Sequence, residues 1–119
     1  MILNYGKKHM AMIIGGSATD LPNYMMIGSG SGTVASTQTE MINPWDRQAI
    51  TSADCSTAYK VKFTTDWTSA EVSGLQLKEF GMIGSAAGTT GSQWERTTML
   101  NVIFNGTQEL RIESNWEYY

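Results

Sequence analysis

The chain reads as mainly β: an antiparallel β-sandwich, jelly-roll-like, with a short N-terminal helix or arm. Three observations predict this. Between Thr57 and Trp67, the residues Tyr59, Val61, Phe63, Thr65 and Trp67 alternate with Lys60, Lys62, Thr64 and Asp66. After Gln108, Leu110, Ile112, Ser114, Trp116 and Tyr118 alternate with Glu109, Arg111, Glu113, Asn115 and Glu117. A period of two puts one set on a buried face and the other in water. Finally, glycine-rich stretches cut the remaining apolar runs into strand-sized pieces.

Taken in order, Asn4 to Gly16 has the marks of a short helix. Asn4 suits an N-cap and Gly15-Gly16 a stop, while Gly6 weakens the helix. Met10, Ile13 and Ile14 would share a face. Tyr24 to Ile27 is a short apolar strand running into Gly28-Ser29-Gly30-Ser31-Gly32, read as a flexible loop. Thr37-x-x-Glu40 has capping-box spacing, with room for one turn before Pro44. Asn43-Pro44-Trp45 reads as a turn with a pinned aromatic. Thr57 to Trp67 is a strand. Val72 to Ile83 is mixed, and Glu79 falls in its apolar register. That position implies a bulge, an end of burial, or a buried carboxylate with a partner. Ser85 to Ser92 is a loop of small residues. Met99 to Phe104 forms a strand that Asn105-Gly106 folds back onto the last one as a type I′ hairpin.

Residues 1–119 suit one domain, with 1–16 as the arm or helix. Cys55 is the single cysteine, so no disulfide forms within the chain. The net charge is −3, and the eight Lys and Arg residues are scattered, unlike the basic footprint of a nucleic-acid binder. Met10 to Ile14 is too short for a bilayer span or for the apolar core of a signal peptide, so synthesis in the cytoplasm without membrane association is expected. Charged residues are 16% of the chain, against about 25% in typical domains. Such depletion fits a surface that meets other protein.

Residues with catalytic or ligand chemistry are few and scattered. His9 and Cys55 have no surroundings that suggest a nucleophile and base. Asp20, Asp46, Asp54 and Asp66 are isolated, and Glu109, Glu113 and Glu117 read as a solvated face, so no metal site is expected. Gly28-x-Gly30-x-Gly32 lacks dinucleotide or phosphate-loop spacing, so no cofactor is expected either. Trp67 and Trp116 lie in core registers. Trp45 and Trp94 sit near turns and are the candidate platforms for sugar stacking; a place in the core or at a subunit interface is the preferred reading of both. The interface candidates are therefore Met10, Met12, Ile13, Ile14, Trp45 and Trp94. The N-terminal segment either contacts a neighbour or covers an open end of the sandwich.

The order of several segments carries a resemblance. These are Leu3-Asn4-Tyr5-Gly6-Lys7-Lys8, Tyr24 to Gly32, Thr37-Gln38-Thr39-Glu40, Arg47, Val61-Lys62-Phe63, Leu77 to Met82, Trp94-Glu95-Arg96 and Ile103 to Leu110. Together they resemble small virion structural proteins of tailed bacteriophages. Shared features are an aliphatic-Gly-x-Gly strand end, a Glu-aromatic-Gly segment and a final hairpin. Met41 departs from the smaller or branched aliphatic expected there. The resemblance implies a non-enzymatic virion component, made in the host cytoplasm. Its leading form is a capsid decoration (cement) protein, a homo-oligomer such as a trimer bound to the major capsid protein. A tail, neck or baseplate component is the alternative. A carbohydrate-binding module of a receptor-binding structure, using Trp45 or Trp94, is the third reading. Arg47, Glu79 and Arg96 would supply loop-orienting ion pairs.

Overall fold

A computed structural model describes residues 1–17, 21–84, 93–98 and 101–117. The chain is mainly β, with antiparallel sheets and one short N-terminal helix. The strand β1 (Tyr24–Gly28) lies between β2 (Pro44–Ala49) and β6 (Glu79–Ile83). A second sheet has β4 (Lys60–Trp67) between β3 (Ser52–Asp54) and β8 (Leu110–Glu117). A small pair joins β5 (Gln76–Leu77) to β7 (Val102–Ile103). A jelly roll has two four-stranded sheets; the described strands divide three, three and two.

One apolar core draws on all three sheets. Met25, Ile27 and Met82 meet Trp67, Ile112 and Trp116, with Leu75, Leu77 and Phe104 beside them. The predicted alternation in β8 holds through Glu117: Ile112, Ser114 and Trp116 are buried, and Arg111, Glu113, Asn115 and Glu117 are exposed. In β4 the burial deepens toward the end, reaching Thr65 and Trp67. Tyr59 lies outside the strand, exposed and at φ 66°. Met41 is buried with Met26 and Ile83 in a second cluster, which accounts for a long flexible side chain at that position.

The helix α1 (Asn4–Ile14) forms, but its N-cap is Leu3 and no side chain caps it. The Asn4 amide instead donates to the Ser36 carbonyl at 2.7 Å. Residues 1–3 run antiparallel to the segment around Glu95: the Leu3 amide donates to the Trp94 carbonyl at 2.7 Å, and the Arg96 amide to the Met1 carbonyl at 3.0 Å. This start is integral to the fold. Gly6 is buried because the helix lies on the backbone at Trp94, where a Cβ would stand 2.7 Å from the carbonyl oxygen. Gly6 is thus a packing residue, and the helix persists because its docked face supplies the stability that its propensity does not.

Three local expectations are corrected. Asn105-Gly106 does not close a hairpin. Gly106 has φ 94°, but Asn105 is not in the left-handed region, so the turn is not type I′. The Asn105 side chain accepts from the Thr107 amide at 3.1 Å, an Asx turn. The turn sends the chain from the β5–β7 pair across to β4. Pro44 and Trp45 belong to β2 and not to a turn; a proline is tolerated there as the first residue of an edge strand. The working capping box is at Thr68 and Glu71, opening α2 (Ser69–Val72), and not at Thr37 and Glu40. Both sites share the pattern. Val72 follows Glu71 into the core, whereas the amides of Ile42 and Asn43 are claimed by another carboxylate. The loop expected over Ser85 to Ser92, Met99 at the start of its strand and Tyr118 lie outside the described residues.

Candidate functional site

The sequence candidates divide into a surface and an interior. Met10, Ile13 and Ile14 line an apolar groove of about 280 Å³ together with Pro22, Phe63, Trp94 and Trp116. Ile14 is 88% exposed and Ile13 42%. Met12 is half-buried on the same helix. Trp45 stands on β2, away from this group, 47% exposed. Its indole N–H donates to the Glu71 carbonyl at 2.9 Å, so the ring is anchored to α2. The Gln48 side chain also donates to the Glu71 carboxylate, tying β2 to the same turn.

Trp94 lies in the core, one of the two places its preferred reading allowed, which corrects its place among the exposed and interface candidates. It is 1% exposed and cannot serve as a stacking platform. It links the helix to the sheets: Tyr5 packs edge-on at 6.5 Å, His9 lies at 5.9 Å and Trp116 at 6.2 Å between centroids. Trp116 in turn meets Phe63 at 5.4 Å. His9 stacks on Tyr5 at 4.2 Å, so it is a packing residue on the helix. Cys55 is exposed. A Trp following small residues looks loop-borne by composition. Its burial follows from the pairing of residues 1–3 with 94–96, which no local pattern announces.

The interior holds an organised polar centre. Glu79 is fully buried, the third of the options its register implied. Its Oε2 accepts from the Gly30 amide at 2.6 Å and the Asn43 amide at 2.8 Å. Its Oε1 accepts from the Ile42 amide at 3.0 Å and from Arg96 Nε at 2.9 Å. Arg96 is also fully buried, and its Nη1 donates to Gln38 Oε1 at 3.3 Å. Burial alone would raise the Glu79 carboxyl. The Asn43 and Ile42 amides, the Arg96 guanidinium and the Gly30 amide outweigh it and hold the group below its ordinary range. The pair is buried, and does not merely orient surface loops. Arg47 is elsewhere, its guanidinium 4.7 Å from the centre of the Tyr24 ring.

This centre explains the glycine run. Gly30 is buried, and a Cβ there would meet the Ile42 side chain at 2.5 Å and the Asn43 amide at 2.8 Å. The first part of the run is therefore a close-fitting wall of the Glu79 pocket, and not a flexible turn. The centre is a structural clasp on residues 29–43: both Glu79 oxygens are filled internally, while Arg96 Nη2 is buried without a hydrogen-bond partner.

Among the described residues Glu95 is the other buried acid. Burial raises its pKa, and this outweighs the N-terminal ammonium, the Trp116 indole and Ser114. A wider depression of about 690 Å³ lies among Ser31, Thr33, Val34, Lys78, Thr98 and Asn101. Lys78 is the one ionisable group among these. Among the described residues no group of three or more His, Cys, Asp or Glu is placed to hold a metal ion, and no helix is long and apolar enough to cross a membrane.

No protein-family model matches the chain, and neither does any curated protein or solved structure.

Proposed function

We propose that the chain is a structural component of a phage virion, with capsid decoration as its role. It would act as an oligomer that docks on the major capsid protein and strengthens the shell. The observation that carries the reading is the outer end of α1. Ile13 and Ile14 are exposed beside an apolar groove, on a helix whose base is bonded into the fold at residues 1–4. A rigidly presented apolar edge can seat against another protein with little ordering on contact. The motif order that resembles small virion proteins supplies the partner. Many identical weak contacts, repeated by symmetry, then supply the shell's stabilisation.

The deciding measurement is copy number per virion, by quantitative mass spectrometry against the major shell protein. Copies on the order of hundreds, in a fixed ratio to the shell protein, support decoration. About a dozen or fewer place the chain in the neck or tail and end the proposal. The double variant I13D/I14D tests the docking edge. Both positions are exposed, so the variant should fold, and it should fail to bind shells.

A further inference from the structure

The strand β8 is an edge. Among the described residues it pairs with β4 alone, and no backbone bond outside that ladder involves residues 110–117. Eight residues pair with β4 in unbroken register. Exposed edges of this length invite another strand, and proteins usually blunt them with proline, lysine, a bulge or brevity. The other edges show such devices or, in β6, cover by bridges from Phe80 to Thr97 and from Ile83 to Gln93. β2 opens on Pro44 and its register slips at Ile27/Gly28; β3 has three residues and β7 two. β8 contains no proline, lysine or glycine and no bulge.

We infer that β8 is a self-pairing interface: two copies of this chain join β8 to β8 antiparallel about a two-fold axis at Ser114, making one six-stranded sheet. Charge complementarity selects the partner and the register. With Ser114 opposite itself, Arg111 faces Glu117 of the second copy, Glu113 faces Asn115, and Ile112 faces Trp116. Directly opposed residues then share a face, so both cores stay on one side of the joint sheet.

The charges already present extend the pattern. Within the chain, Arg111 Nε meets Asp66 Oδ1 at 2.7 Å and Lys60 Nζ meets Glu117 Oε1 at 3.1 Å. Across the joint, the row becomes Asp66, Arg111, then Glu117 and Lys60 of the second copy, alternating in sign over four strands. The two-fold axis repeats it in reverse. Opposite charges directly across strands attract and like charges repel.

Neighbouring registers are worse. An axis at Glu113 sets Glu113 against itself and Glu109 against Glu117. An axis at Asn115 sets Glu113 against Glu117. An axis at Ile112 opposes Arg111 and Glu113 but leaves only residues 110–114 paired within the strand, against 111–117 for Ser114.

The interface is independent of the capsid reading. A two-fold joint gives a dimer, whereas the trimer expected of a decoration protein needs a three-fold axis. The test is mass in solution by light scattering, on the whole chain. The wild type should run at twice the 13.1 kDa of one chain. R111E places Glu opposite Glu117 twice, and E117R places Arg opposite Arg111 twice, so each alone should run as a monomer at the same concentration. Mixed in equal amounts, they should form a heterodimer, because each new charge then faces its opposite. Recovery on mixing also shows that both variants are folded. A monomeric or trimeric wild type would overturn the inference. A dimer untouched by either substitution, or variants that stay monomeric when mixed, would overturn the register.

Discussion

Glu79→Gln is the sharpest probe of the clasp. Each carboxylate oxygen accepts two donors: Gly30 and Asn43 amides on one, the Ile42 amide and Arg96 Nε on the other. Glutamine keeps one oxygen. Whichever way its amide is turned, the NH₂ faces two N–H donors and offers them nothing. Two unsatisfied buried donors cost about 1–3 kcal/mol each. Breaking a buried ion pair from one side costs about 3–5 kcal/mol, which agrees. A domain of this length has about 6–18 kcal/mol in total, so the variant should fold but be much weakened. With a urea slope of about 2 kcal/mol per molar, the midpoint should fall by about 2 M. The assay is urea unfolding followed by tryptophan fluorescence. The double variant E79M/R96M separates the charges from the amides. Swapping a buried ion pair for apolar groups is often harmless. Here it should remain destabilising, because the amides of Gly30, Ile42 and Asn43 lose their acceptor. A midpoint shift under about 0.5 M for Glu79→Gln, at unchanged slope, would refute the reasoning.

The remaining expectations follow from the two acids and the helix contact. Glu79 has a lowered pKa in the folded chain, so its contribution is complete above the unfolded value of about 4.3 and fades as pH falls. The gap between wild type and Glu79→Gln in pH-dependent unfolding should therefore narrow in acid. Glu95 has a raised pKa, so it costs nothing in acid and costs stability as pH rises through its folded value. Glu95→Gln should stabilise the protein at neutral pH and have little effect in acid, measured in the same titration. Gly6→Ala improves helix propensity by about 1 kcal/mol, but its methyl would stand 2.7 Å from the Trp94 carbonyl oxygen. The clash should win, lowering stability by about 1–2 kcal/mol net in thermal unfolding.

Where periodicity carries the signal, the fold was legible. β8 follows its alternation because one face lies on the core and one in water, whereas β4 follows it only from Thr65 to Trp67, with Val61 to Thr64 all half-buried. The apolar run of β1 follows too. The anomaly at Glu79 left a bulge, an end of burial and a buried, partnered carboxylate open; the last is what forms, and nothing local pointed to its amide donors from residues 30, 42 and 43. Those lie 36 to 49 positions away, and local patterning does not reach that far. The same limit hid Trp94, whose burial depends on a strand pairing between residues 1–3 and 94–96. Asn105-Gly106 misled for a different reason. The dipeptide reports that the chain turns, and the partner of each flanking strand is decided by the wider packing. Pro44 misled because it starts a strand as readily as it ends one.

The path of β8 has a consequence for how the sheet comes together. Its contacts with β4 close spans of 43 residues, from Trp67 to Leu110, up to 57 residues, from Lys60 to Glu117. Such distant pairings form slowly, since chain entropy must be lost before they reward it. Until β8 arrives, one side of β4 stands open, with Phe63 and Trp67 uncovered on that flank. A β8 strand from a neighbouring chain fits that opening as well as the chain's own. Refolding at high concentration thus becomes a race between closure within the chain and exchange between chains, and dilution decides the winner.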